Sequence, residues 1–120
     1  MKVRALRGAV TADADDKDEI IKCTTELLEE MLERNDVATD DIIFVIFTST
    51  SDLHAEFPAA AARKLGLSHV PVLCAGELDV VGALPNTIRV MMLINTDKAR
   101  DLLRHVYLKD ARQLRMDLPG

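Results

Sequence analysis

Apolar and charged residues alternate at the start of the chain, so residues 2–7 read as a strand ending at Arg7-Gly8, where the glycine lets the backbone turn. Asp16 followed by Glu19 resembles a capping box. Beyond it Ile20, Ile21, Thr24, Leu27, Leu28, Met31 and Leu32 recur with helical period, which predicts a helix over 17–34 closed by Asn35-Asp36. Ile42 to Thr48 is apolar and partly β-branched, bounded by Asp40-Asp41 and Ser49-Thr50-Ser51, and reads as a buried strand. Pro58 suits the first turn of a second helix that Ala59 to Leu65 propagates and Gly66 stops. His69 to Cys74 is a strand-like run broken by Ala75-Gly76, and Thr87 to Asn95 is a longer one. Thr96 or Asp97 caps an expected third helix reaching about Arg104, and Val106 to Leu108 forms a short last strand before a polar tail. With no repeat and no linker, this alternation predicts one domain over 1–120, with a mixed sheet and helices outside it, of the α/β or α+β class.

Composition narrows the function classes. Apolar residues at 48% and charged residues at 29% describe a globular chain rather than a disordered one. The longest apolar runs are too short to cross a bilayer, and no apolar stretch of signal-peptide length follows Met1-Lys2-Val3-Arg4. Membrane partners are therefore not expected. Cys23 and Cys74 lack CxxC spacing and suit a reducing cytoplasm. The net charge of −5 is unevenly spread: Asp13 to Asp41 holds 12 acidic and three basic residues, a net −9, so the remainder is +4. The acidic segment reads as a solvated helix face. The positive remainder can attract a small anion. The acidic balance, without a basic-aromatic stripe, argues against nucleic acid.

Arg89 is the first candidate for chemistry, set in Ile88-Arg89-Val90-Met91-Met92-Leu93-Ile94. A guanidinium buried there must be paired, because an unpaired buried charge is costly. It is either a salt-bridged or solvent-facing structural residue, or a fixed cationic donor for an anionic ligand. Arg7 stands beside a glycine at a strand exit, a usual place for ligand-binding groups. Val70 to Asp79 leads a strand into a polar turn carrying Cys74, Glu77 and Asp79. Metal ligation is disfavoured there, since His54, His69 and His105 stand at no ligand spacing, and nothing marks a base for Cys74 as a nucleophile. Hydrogen bonding of a polar ligand by Glu77 and Cys74 is the simpler chemistry. Phe57 opens a helix with Arg63 and Lys64 near its end, as a solvated basic helix end would also look. Tyr107 is the lone tyrosine, flanked by Val106 and Leu108, and His105 reads as structural.

The order of these segments resembles that of the small trimeric bacterial chorismate mutases, the AroH class. Arg7-Gly8-Ala9, Asp52-Leu53-His54-Ala55 through Phe57-Pro58-Ala59 to Arg63, Val70-Pro71-Val72, Cys74, Glu77, Asp79-Val80, Ile88-Arg89-Val90-Met91-Met92 and Arg104-His105-Val106-Tyr107-Leu108 follow in the family's sequence. The resemblance covers about residues 2–117. It implies an α+β homotrimer with a pseudo-α/β-barrel core, helices outside and active sites between subunits. It implies rearrangement of chorismate to prephenate for aromatic amino-acid synthesis, with no cofactor and no metal. By resemblance Arg89 would face the breaking ether oxygen, Arg7 and Tyr107 would hold the side-chain carboxylate, and Glu77 with the Cys74 region would bind the ring hydroxyl. Phe57, Ala59 and Leu73 would line the substrate, and Arg63 with Leu114-Arg115 would close the mouth.

Two departures stand out. Ala60 replaces a lysine common in the family, for which Lys64, one turn on, is the candidate substitute. Leu73 replaces a residue that is often polar. A trimeric anion-binding module without catalysis, or an imine-hydrolysing enzyme of the same fold, are the competing readings. Arg7, Cys74, Glu77, Arg89 and Tyr107 together favour the mutase.

Overall fold

The computed structural model describes residues 1–115. Five strands, β1 (Lys2–Thr11), β2 (Ile42–Ser49), β3 (Val72–Gly76), β4 (Thr87–Thr96) and β5 (Val106–Tyr107), form one mixed sheet in the order β3-β2-β4-β1-β5. The long central strand β4 runs antiparallel to β1 and β2, while the edge strands β3 and β5 run parallel to β2 and β1. Helix α1 (Lys17–Arg34), with the short α2 (Ala60–Lys64) packed beside it, covers one face. This is the expected α+β arrangement.

The α1 stripe faces the sheet. Ile20, Cys23, Leu27, Leu28 and Met31 are buried with Leu6, Val10, Phe47, Ile88, Met92 and Ile94 in one core. Asp16 caps the helix, its carboxylate accepting from the Glu19 N–H at 3.0 Å. Glu19 reaches past the cap to accept from the Asp13 N–H at 2.6 Å, so the loop before the helix is fastened by the same pair. Asn35 ends the helix and Asp36 follows at φ 53°, a left-handed conformation that Asp tolerates.

Three expectations change. The first strand does not turn at Gly8 but continues to Thr11. Gly8 serves close packing instead: a Cβ there would stand 2.6 Å from Met31 Sδ and 3.1 Å from Leu27 Cδ1. The third helix expected over 96–104 is only a 3-10 turn at Arg100–Leu102. Of the turn and Leu103 after it, only Leu103 is buried, so no helical stripe exists to be covered. The buried Asn35 amide instead grips the extended chain beyond, accepting from Arg104 N–H at 2.7 Å and donating to Arg104 C=O at 2.8 Å. Strand β3 starts at Val72, not His69, and runs through Ala75-Gly76, because its pairing with β2 ends only where Ser49 meets Gly76.

Among the described residues no α-helix covers the other face of the sheet. Strand alternation places Val3, Ala5, Arg7, Phe44, Ile46, Thr48, Leu73, Arg89, Met91 and Leu93 on it. Val3 and Leu73 are exposed at 55% and 61%. Among the described residues no helix is long and apolar enough to cross a membrane.

Candidate functional site

Register builds the site on that uncovered face. Reading across the strands, Tyr107 pairs with Ala9, Ala9 with Arg89, Arg89 with Thr48 and Thr48 with Ala75. Side chains of paired residues rise on the same side, so these five form one row. The next row runs Arg7, Met91, Ile46, Leu73. Beside these two rows lies a basin of about 270 Å³ lined by Arg7, Tyr107, Arg89, Glu77, Thr48 and Met91, among others.

Its charges are ordered by hydrogen bonds. Arg89 Nε donates to Glu77 Oε1 at 2.6 Å, and the Thr48 hydroxyl donates to the same oxygen at 2.9 Å. The Glu77 N–H donates to the Ser49 carbonyl at 3.0 Å, so the turn after β3 is tied to the end of β2. Arg89 is the cation that the apolar β4 pattern singled out. It is paired, as burial arguments require, and yet half-exposed on the open face. At the other end of the basin the Arg7 N–H donates to His105 Nδ1 at 3.0 Å. Burial, with help from the Arg7 and Arg115 charges, pushes the His105 pKa below its ordinary value. The neutral ring, with its proton on Nε2, is the form that can accept this bond.

Arg7, Glu77, Arg89 and Tyr107 are thus brought together as the sequence suggested. Leu114, in the 3-10 turn Lys109–Arg115, lines an adjoining hollow that also contains Glu77 and Arg89. Cys74 is not in the basin. It pairs with Phe47, so its side chain points to the opposite face and packs against the core. There it lines a second hollow of about 470 Å³ together with Ser49, Thr50, His54, Phe57 and Gly76. Phe57, Ala59 and Arg63 belong to that side as well; Phe57 is 68% exposed, and none of the three touches the basin of its own chain. Leu73 shares the Arg7 row on the open face.

The loop carrying Phe57 is held from α1's approach: Asp15 Oδ1 accepts from the N–H groups of His54 and Ala55 at 2.8 and 2.9 Å. Those two bonds hold the Asp15 carboxyl below the usual carboxylate range. Among the described residues no group of His, Cys, Asp and Glu side chains is arranged to hold a metal ion.

Sequence reasoning misses two residues. Thr48 reads as the end of a buried strand. Alternation along Ile46-Phe47-Thr48 carries a signal, since it puts Thr48 on the face opposite Phe47. His105 has no partner in its local pattern, which does not show the Arg7 backbone amide that it meets.

The arrangement offers two guanidinium groups, a phenol and one carboxylate to a small, anionic, oxygen-rich ligand. A family model described as chorismate mutase type I matches residues 3–118. The chain is 45% identical over 119 residues to the chorismate mutase AroH of Bacillus subtilis, covering 98% of this chain and 94% of that protein. It is 49% identical over 117 residues to the chorismate mutase AroH of Thermus thermophilus, covering 97% and 96% respectively. A solved chorismate mutase from Clostridium thermocellum superposes with a TM-score of 0.91 at 48% identity, covering 92% of this chain and 98% of that one.

Proposed function

The chain belongs to the type I chorismate mutase family, and from that premise we propose that the basin on its uncovered sheet face holds chorismate during rearrangement to prephenate. It is an isomerase, acting in the branch of aromatic amino-acid synthesis that prephenate feeds. The observation that carries the assignment of the site is the convergence of Arg7, Tyr107, Arg89 and Glu77 in one basin.

The reaction is a unimolecular pericyclic shift, so it needs no nucleophile, cofactor or proton-transfer group. What it needs is orientation, because the substrate is a flexible dianion that reacts only when folded. Arg7 and the Tyr107 hydroxyl hold the side-chain carboxylate. Glu77 accepts from the ring hydroxyl through its free oxygen lone pairs. The carbon–oxygen bond breaks ahead of carbon–carbon bond formation, and negative charge grows on the ether oxygen. Arg89 spends its Nε on Glu77, which leaves the terminal guanidinium nitrogens to meet that oxygen. A fixed donor whose interaction strengthens as charge develops lowers the barrier rather than merely tightening binding.

The protein works as a homotrimer of 120-residue domains whose sites lie between subunits. The open face supports this, since Val3, Leu73 and the 37%-exposed Met91 leave apolar surface beside the basin. Phe57, Ala59 and Arg63, which turn away from their own chain's basin, then wall and close a neighbour's. Cys74, sited on the Phe57 side, belongs with that wall. Both cysteines are free thiols, in keeping with a cytoplasmic enzyme.

The test is the loss of chorismate absorbance, with prephenate identified as product, and the mass by sedimentation. Co-expression of Arg89→Ala with Phe57→Asp subunits should restore sites assembled from one intact basin and one intact wall. An active monomer, or inactivity of the mixed trimer, would overturn the shared site. No turnover by the wild type would overturn the mutase reading.

A further inference from the structure

Thr48 stands between Arg89 and Ala75 in the cross-sheet row, and its hydroxyl meets Arg89's carboxylate partner. It is held opposite Arg89 by the β2–β4 register, and its hydroxyl donates to the same Glu77 oxygen that Arg89 Nε occupies. Glu77 itself lies just beyond the end of β3, where a lone carboxylate would sample several rotamers. Its backbone is tied to Ser49, the residue after Thr48. Glu77 is therefore held by consecutive residues of β2, its carboxylate by Thr48 and its backbone N–H by Ser49.

We propose that Thr48 is a positioning residue for the rearrangement, fixing the Glu77 carboxylate so that Arg89 presents its terminal nitrogens to the substrate. This rests on the mutase reading above. The physical need is preorganisation: a donor that must swing into place pays for that motion in the transition state. With Thr48 holding Oε1, the Glu77–Arg89 contact has a fixed plane and the guanidinium has one orientation. Without the hydroxyl, Glu77 can follow Arg89 into several geometries, only some of which face the ether oxygen.

Thr48→Val tests this with little disturbance, since it removes the hydroxyl while keeping the β-branched shape that suits a strand. Thr48→Ser keeps the hydroxyl and removes a methyl group. The expected result is a fall in kcat of about ten-fold for Thr48→Val, the rate equivalent of one charge-assisted hydrogen bond. KM should move less than kcat, and Thr48→Ser should stay within about two-fold of wild type on both. In parallel, the Arg89 Nε–H resonance, assigned by its loss in Arg89→Lys, should shift and exchange faster with water in Thr48→Val. An unchanged kcat in Thr48→Val, or equal damage in Thr48→Ser, would overturn the role of the hydroxyl. If wild type fails to turn over chorismate, the mutase reading falls. The Nε–H resonance then decides alone, and an unaltered signal in Thr48→Val removes the positioning claim.

Discussion

Replacing Arg89 by alanine should separate two effects that the basin combines. The first is loss of the donor proposed to meet developing charge. Removing one such preorganised donor costs roughly 10²- to 10³-fold in kcat. The second follows from the partner left behind. Glu77 Oε1 loses its 2.6 Å contact and keeps the Thr48 hydroxyl, so a carboxylate without its cation now faces a dianionic substrate. Two unit charges about 6 Å apart at an effective dielectric of about 20 repel by roughly 3 kcal/mol, which opposes binding as well as reaction. The loss in kcat/KM should therefore exceed that in kcat and reach about 10⁴- to 10⁵-fold.

The fold should survive this change. The Arg89–Glu77 pair is partly exposed, at 46% and 21%, and such pairs contribute about 1 kcal/mol or less. The assay is chorismate absorbance across substrate concentrations for wild type, Arg89→Ala and the double variant Arg89→Ala/Glu77→Ala. Taking Glu77 away as well should recover part of KM and none of kcat. Near-wild-type kcat in Arg89→Ala would remove Arg89 from the chemistry. A double variant whose KM is worse than that of Arg89→Ala would refute the repulsion argument. Arg89→Lys should fall between, because one ammonium cannot serve Glu77 and the substrate in the geometry of a planar fork.

Other consequences are structural. Gly8→Ala forces a Cβ to within 2.6 Å of the buried Met31 sulfur. It should cost about 1–2 kcal/mol in urea unfolding, towards the lower part of the overpacking range because a thioether chain can yield; an unchanged midpoint would show that α1 does not rest on Gly8. Asn35→Ala removes a buried amide whose part-buried bonds hold Arg104 N–H and C=O, and a loss of about 1–3 kcal/mol is expected in the same experiment. His105, held below its ordinary pKa of 6.5 chiefly by burial, binds a proton more readily unfolded than folded. Its contribution to stability is present above about pH 6.5 and is lost as pH falls through the folded-state value. Thermal unfolding of His105→Gln should therefore lose less stability than wild type on acidification; parallel pH profiles would show that the Arg7–His105 bond carries no such linkage.

The extent of α1 was legible because its determinants are local: an apolar stripe of period 3.6, a cap at Asp16 and a terminator at Asn35 all lie within one stretch of chain. Arg89 was legible for a similar reason, as a charge in an apolar strand that must either be paired or face outward, and it does both. The roles proposed for Arg7, Glu77 and Tyr107 come from the order of motifs along the whole chain rather than from any one of them. Three features depended on contacts between distant segments. Gly8 looked like a turn because nothing near it in sequence announces that Met31 and Leu27 will lie against it. The 96–104 stretch had a helix's start signals but lacked a face to bury, and the Asn35 amide captured its end instead. Cys74 lies three residues before Glu77, yet the sheet sends it to the opposite face. In a strand a shift of one residue reverses the side that a side chain faces, and the register of β3 against β2 is settled by pairing across the sheet. The hydroxyl of Thr48 gains its meaning from a carboxylate 29 residues away. Local pattern determined the elements and the chemical kinds of residue available, and tertiary pairing decided which of them share a face.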